Sequence, residues 1–180
     1  GRLDYFAANG AVLADPEVMN GDPYAHDNLL LQGRQDRLGF QPIEHGGITS
    51  LRARTSRGAI FADFDNDGGM DIVVLNRNAP ARYLANTVPG RGNWLLVDVR
   101  NSSGAPAIGA KVELDFGDHV QTGFVRADSS YLTARDPRVH FGLGEREQVP
   151  EVRVMWPDGE SVTLSEVRSN AVLRIDPRGL

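Results

Sequence analysis

The sequence predicts an all-β chain, with partial β-propeller repeats in residues 1–90 and a small β-sandwich in residues 91–180. Three observations predict this class. Apolar residues alternate with a period of two in most segments, which is typical of half-buried strands. No stretch keeps a helical period. A short motif that ends at Asp4 recurs at Asp71, 67 residues later.

The motif is an internal repeat that organises the first half of the chain. Gly1-Arg2-Leu3-Asp4 and the five residues after it match Gly68-Gly69-Met70-Asp71 and the five residues that follow. Repeats of this size are typical of propeller arrays, in which one unit cannot bury its faces alone. We therefore expect that residue 1 falls inside an aspartate loop, and that the remaining propeller blades lie upstream of it.

Strands are predicted along the rest of the chain. The β-branched run Ile72–Leu75 follows the second copy of the motif. The repeat stops near Pro89–Gly92, where we place the domain boundary. The later strands lie in the segments NWLLVDVR, KVELDF, RVHFGL, EVRVMW, ESVTL and AVLRI.

Trp156 permits two interpretations. It alternates with Val152 and Val154 on an apolar face and precedes the turn Pro157-Asp158-Gly159, which favours a core residue beside a β-turn. The alternative is an exposed ring that stacks on a sugar or anchors a partner.

The composition limits the function. The 180 residues are 41% apolar and 24% charged, as in a globular protein, and carry a net charge of −5. No basic field is available to attract nucleic acid. The absence of cysteine excludes disulfides and thiolate metal sites. No apolar run approaches the roughly 20 residues that span a bilayer, so we predict no membrane span.

The stretch ADFDNDGGMD predicts a cation site. If Asp63 is position 1, carboxylates stand at positions 1, 3, 5 and 9, a glycine stands at 6, and the carbonyl of Gly69 stands at 7. The predicted metal ligands are therefore Asp63, Asp65, Asp67, Gly69 and Asp71. Such hard oxygen ligands on a tight turn favour Ca²⁺ over Mg²⁺ or Zn²⁺. The alternative is a solvated acidic turn, because these residue types are ordinary turn formers.

Two segments resemble known families. GAIFADFDNDGGMDIVVLN resembles an FG-GAP (VCBS-type) repeat, a calcium-binding blade motif of integrin-like propellers. Residues 93–176, with NWLLVDVRN, IGAKVEL, SSYLTARDPRVHFGLGE and VRVMWPDG, resemble the ASPIC/UnbV domain of the cartilage acidic protein-like family. The resemblance implies an exported, non-catalytic, multi-repeat protein with Ca²⁺ in its blades, and it places the ligands on the same five residues. At Asp4 only the tail of a second loop is present.

Two function classes remain. The first is a non-catalytic calcium-binding module, secreted or at the cell surface or in the periplasm, for adhesion or for binding an unknown protein or glycan ligand. The second is a carbohydrate-active enzyme or an accessory domain of one. A glycosidase needs two carboxyl groups about 5 to 10 Å apart in a cleft, and the spacing of acidic residues recommends no such pair.

Overall fold

The computed structural model describes residues 3–14, 21–34, 38–43, 48 and 51–177, and within these ranges the chain is all-β with no helix, as the sequence predicts. The strands are β1 (Tyr5–Ala7), β2 (Leu29–Gly33), β3 (Phe40–Pro42), β4 (Ser56–Ala62), β5 (Asp71–Asn76), β6 (Arg82–Leu84), β7 (Asn93–Val99), β8 (Lys111–Asp115), β9 (Val120–Phe124), β10 (Val139–Gly144), β11 (Gln148–Met155), β12 (Ser161–Arg168) and β13 (Ala171–Ile175).

The described strands form four sheets. Two are three-stranded antiparallel meanders, β1-β2-β3 and β4-β5-β6. The other two have the orders β10-β7-β13 and β12-β11-β8-β9, and β13 pairs with β7 in parallel. All the strands predicted after residue 70 are present, with bounds that differ by a few residues.

The main hydrophobic core lies between the two later sheets, which form a β-sandwich-like unit. It is built by period-two alternation, because every second side chain of a strand points to the same face. The buried apolar residues are Leu95, Val97, Val99, Ala107, Ala110, Val112, Leu114, Val125, Val139, Phe141, Leu143, Val149, Val152, Val154, Trp156 and Ile175.

Trp156 is a core residue. It is 6% exposed, and its Nε1 donates a hydrogen bond of 2.8 Å to the carbonyl oxygen of Arg100. The Asp158 carboxylate accepts from the Glu160 amide at 3.1 Å within the turn that follows. The core interpretation is confirmed, and the ring is not available to stack on a sugar.

The second face of β7 is also buried, which alternation alone does not predict. Leu96 is 1% exposed and Asp98 is 8% exposed, although both point away from the core between the sheets. Asp98 is paired with Arg100 at 2.7 Å. A strand covered on both sides has a nearly continuous apolar sequence, as in Trp94–Val97. This second face is the one that meets the loop described below.

Each copy of the repeated motif leads into a strand that pairs antiparallel with the next strand along the chain, although β1 is an edge strand and β5 is the central strand of its sheet. Asp4 immediately precedes β1, and Asp71 begins β5. Asp4 Oδ1 accepts from the Gly33 amide at 3.0 Å, and Asp71 Oδ1 accepts from the Asn86 amide at 2.7 Å. Gly1 and Arg2, which begin the first copy, lie outside the described residues.

The sheets of the first half contact each other. The rings of Phe6 and Phe61 meet edge to face with centroids 6.2 Å apart, and the Ser56 amide donates to the Asn9 carbonyl at 2.9 Å. In the described part of the chain, no helix has the length and apolar character that crossing a membrane requires.

The sandwich core yields a stability prediction. Leu114→Ala removes a fully buried side chain from β8 and should lower the free energy of unfolding by about 2 to 5 kcal/mol, because it leaves a cavity. Leu132→Ala changes a leucine that is 84% exposed and should cost less than about 0.5 kcal/mol. Urea titration followed by circular dichroism measures both. Equal losses for the two variants would contradict this description of the core.

Candidate metal centre

The aspartate loop, residues 63–70, joins the antiparallel strands β4 and β5. Ala62 pairs with Asp71, so the strand ends lie side by side and bring the first and last aspartates of the motif together. Asp63 is 0% exposed and Asp71 is 2% exposed. Two carboxylates are therefore buried at the loop end of one hairpin.

Three carboxylates converge at this point. Asp63, Asp65 and Asp71 each offer an oxygen, and these oxygens all lie within 4.8 Å of one another. Two ligands that are each about 2.3 to 2.6 Å from one Ca²⁺ ion lie at most about 5 Å apart. The spacing of the three oxygens therefore fits a shared cation of this size.

Backbone amides hold Asp63 in place. Its Oδ1 accepts from the Asp67 amide at 3.1 Å and its Oδ2 accepts from the Gly68 amide at 2.9 Å. The loop turns back on itself through Asn66 (φ 58°) and Gly68 (φ 88°), both in the left-handed region. Asparagine and glycine are the residues that adopt this region most readily.

Asp71 connects the loop to the neighbouring strand. Its Oδ2 accepts from the Phe64 amide at 3.2 Å and from the Tyr83 hydroxyl at 2.9 Å. The hydrogen bond from Tyr83 to Asp71, together with desolvation and the nearby negative charge, raises the pKa of Tyr83 to about 12. The hydroxyl therefore stays protonated and continues to donate at neutral pH.

Asp65 is the exposed member of the cluster. Desolvation and the neighbouring carboxylates of Asp67, Asp71 and Asp63 raise its pKa above the usual range. A raised carboxyl pKa means that the negative charge is disfavoured at this position. A bound cation would relieve that repulsion.

Asp67 does not belong to this group of three carboxylates and is paired with Arg91. Its Oδ2 is paired with Nη2 of Arg91 at 2.5 Å, and its Oδ1 accepts from the Gly69 amide at 2.8 Å. The hydrogen bond from Arg91, with that from Gly69, lowers the pKa of Asp67. Of the five predicted ligands, the structure thus brings the carboxylates of Asp63, Asp65 and Asp71 together. The role of all five as metal ligands stays a prediction.

Two side chains from the second half of the chain, Arg138 just before β10 and His140 within it, also contact the loop. Nη1 of Arg138 donates to Asn66 Oδ1 at 2.6 Å, and its Nη2 donates to the Asp63 carbonyl at 2.9 Å. Nε2 of His140 donates to the Gly68 carbonyl at 2.9 Å. Sequence reasoning missed both residues as partners of the loop, since more than 70 positions separate each from its partner.

Trp94 packs directly on the loop. A Cβ atom added to Gly68 would lie 2.1 Å from Cδ1 and Nε1 of the Trp94 ring. Gly68 is therefore required twice, once for its positive φ and once for the close approach of the ring.

A surface depression of about 420 Å³ lies elsewhere, at one end of the sandwich. Its lining includes Asp118, Arg146 and Glu147. A hydrogen bond from His119 lowers the pKa of Asp118, which is exposed. A glycosidase general acid needs a raised pKa, so Asp118 does not favour the catalytic alternative.

Comparison with known proteins relates part of the chain to one family. Residues 100–179 match the family described as ASPIC and UnbV. The ASPIC/UnbV part of the predicted resemblance is thereby confirmed, and the match covers β8–β13.

The similar relatives include cartilage acidic protein 1 from three vertebrates. The mouse protein is 37% identical over 126 residues, and the human protein is 36% identical over 126 residues; each alignment covers 66% of this chain and 19% of the relative. The Xenopus tropicalis protein is 34% identical over 144 residues, which cover 76% of this chain and 22% of the relative. The alignments thus span about a fifth of the length of these curated relatives.

The contact between Gly68 and Trp94 yields a matched pair of variants. Gly104→Ala, at φ 83° with no atom within 4 Å of the added Cβ, should cost about 1 to 2 kcal/mol for its backbone conformation alone. Gly68→Ala has the same backbone cost and should lose a further 1 to 3 kcal/mol, roughly, because it overlaps the Trp94 ring.

Denaturant unfolding of both variants checks this prediction. Trp94→Ala combined with Gly68→Ala should recover part of the extra loss, as a double-mutant cycle would show. Equal losses for the two glycine variants would mean that the ring does not press on the loop in solution.

Proposed function

We propose that the chain is a non-catalytic, calcium-binding extracellular module of a larger repeat protein. In this proposal residues 1–90 are FG-GAP/VCBS-type repeats and residues 91–180 are an ASPIC/UnbV-like β-sandwich. The observation that carries the proposal is the convergence of the Asp63, Asp65 and Asp71 carboxylates at the loop end of one hairpin.

The donor chemistry supports calcium. The converging groups are carboxylate oxygens, which hard cations prefer, and Ca²⁺ accepts the irregular geometry that a short loop offers. Zinc normally takes sulfur or nitrogen ligands. The chain has no cysteine, and the Nε2 atom of nearby His140 already donates a hydrogen bond to the Gly68 carbonyl.

Asp63, Asp65 and Asp71 would hold the ion, with water and the Gly69 carbonyl completing the six to eight oxygens that Ca²⁺ takes. Asp67 would be a further ligand if its carboxylate exchanged the Arg91 guanidinium for the cation. A bound calcium ion would neutralise the charge of these carboxylates, and Asp63 and Asp71, at the ends of β4 and β5, would hold it from both strands.

A similar hydrogen bond made by Asp4 and by Asp71 supports the repeat. Each aspartate stands at the start of a strand and accepts a hydrogen bond from the amide of a later residue in its unit. Tyr5, Leu29 and Phe40 are about half exposed in the sheet β1-β2-β3. An upstream propeller blade would cover such residues.

The relatives support an extracellular, non-enzymatic role. Their name refers to cartilage, a tissue made largely of extracellular matrix, and to acidic character, and it names no reaction. The chain is itself acidic, with a net charge of −5. We therefore propose that the protein is exported from the cytoplasm and is secreted, at the cell surface or in the periplasm.

A partner surface adjoins the metal centre. Phe64 and Tyr83 are half exposed and meet edge to face, with ring centroids 5.8 Å apart, beside the exposed Asp65. Exposed aromatic pairs next to polar groups suit contacts with a protein or with the apolar face of a sugar. This pair supports adhesion or glycan binding as the role of the module.

Calcium titration tests the proposed function. At a free calcium concentration about a hundredfold above the dissociation constant, binding to the folded state adds roughly 2.7 kcal/mol to its stability. Asp65→Ala should reduce the affinity and remove most of the calcium-dependent rise in melting temperature. Isothermal titration calorimetry and thermal melting of metal-stripped protein measure the two effects.

Asp158→Ala is the matched control. Asp158 lies in the exposed turn between β11 and β12, where its carboxylate accepts from the Glu160 amide, so the calcium-dependent shift should be unchanged. If wild-type protein shows neither heat of binding nor a thermal shift at millimolar calcium, the loop is only an acidic turn.

A further inference from the structure

We propose that Arg138, His140 and Trp94 are positioning residues for the aspartate loop, so that cation affinity depends on the docking of the loop against the sandwich. This inference rests on the calcium site proposed above. It adds that the site is completed by side chains that lie outside the ligand motif and beyond the predicted domain boundary.

The Arg138 guanidinium is also held in place by contacts outside the loop. Its Nε donates to Asp136 Oδ2 at 2.7 Å, and Asp136 Oδ1 accepts from the Arg138 amide at 3.0 Å. The side chains of Arg138 and Asp136 are only 21% and 15% exposed. The planar fork is therefore pre-organised to donate to the Asp63 carbonyl and to Asn66.

These contacts fall where the loop needs restraint. Asp63 begins the loop and carries one of the buried carboxylates, and Asn66 forms the left-handed turn that reverses it. A loop held in its bound shape loses less conformational entropy when it takes up a ligand. Restraint by Arg138 should therefore raise the affinity for a cation.

The remaining contacts form a continuous docking surface. Leu96 of β7 pairs with His140 of β10, and Trp94 lies two residues before Leu96, so all three side chains share one face of the sheet. His140 and Trp94 on this face contact the loop at Gly68.

The contact extends to strand β4. A Cβ atom added to Gly58 would lie 2.6 Å from the methyl group of Thr133 and 2.7 Å from the Tyr131 carbonyl oxygen. The loop and the strand that leads into it thus both lie against residues from beyond position 90.

Charge alone predicts the opposite effect of Arg138. A guanidinium near a cation site repels the cation, so its removal would strengthen binding if Coulomb repulsion dominated. The paired Asp136 carboxylate offsets that charge at 2.6 Å. We therefore expect the positioning effect of Arg138 to exceed its repulsion of the cation. Removal of Arg138 weakens calcium binding in the first case and strengthens it in the second, so the sign of the change distinguishes the two effects.

The test is calorimetric calcium titration of the full chain. Arg138→Gln should weaken calcium binding by about 10- to 100-fold, the usual effect of losing a residue that orients metal ligands. Arg138→Lys should also weaken binding, because lysine keeps the charge but lacks the two-pronged fork. Arg153→Gln is the matched control, since Arg153 lies on β11 and pairs with Glu151 and Glu113. It should leave the affinity unchanged.

A second readout is independent of calcium. The amides of Asp67 and Gly68 donate to Asp63, so their hydrogen exchange reports the order of the metal-free loop. Exchange at both amides should be faster in Arg138→Gln than in wild type. If this variant does not fold, His140→Ala is used in the same two measurements.

The outcomes separate the two proposals. No calcium binding by the wild type overturns the proposed function, while faster exchange in the variant would still support positioning of the loop by Arg138. Wild-type binding with unchanged or tighter binding in the folded variant overturns the positioning inference and leaves the calcium site standing.

Discussion

Burial of the Asp63 and Asp71 carboxylates is the constraint on which the surrounding structure depends. A buried carboxylate is costly unless hydrogen bonds or opposite charge compensate for its lost hydration. The Asp63 carboxylate accepts hydrogen bonds from two amides of the loop. The Asp71 carboxylate accepts hydrogen bonds from two amides and from the Tyr83 hydroxyl. The tight loop, its left-handed turns and the position of β6 all serve these hydrogen bonds.

The same constraint explains the contact between the two halves of the chain. A loop that turns so tightly directs the carbonyls of Asp63 and Gly68 outward, and such groups need donors when they are covered. Arg138 and His140 supply the donors from the sandwich, and Trp94 covers Gly68. The face of β7 that points away from the sandwich core is buried for this reason. The loop joins the halves and also carries the three carboxylates that could hold a cation.

Local patterns were sufficient to predict much of the structure. Period-two alternation predicted β7, β8 and β10 to β13 and the buried position of Trp156, because these features depend on neighbouring residues, whereas the short strands β6 and β9 were not predicted. The spacing of the aspartates likewise predicted that Asp63, Asp65 and Asp71 would meet, since a hairpin brings the ends of its strands together. The pairing of Asp67 with Arg91, and the contacts of Arg138 and His140, depend on how distant segments pack, and no local spacing encodes that.

A crystal structure of the full chain grown with calcium tests the central claim most directly, because it shows the ion and the surrounding contacts together. The claim predicts one ion about 2.3 to 2.6 Å from oxygens of Asp63, Asp65 and Asp71. It also predicts that Arg138 still donates to the Asp63 carbonyl and that Trp94 still covers Gly68. A loop without an ion at millimolar calcium, or an ion bound while Arg138 and Trp94 have left the loop, would contradict it.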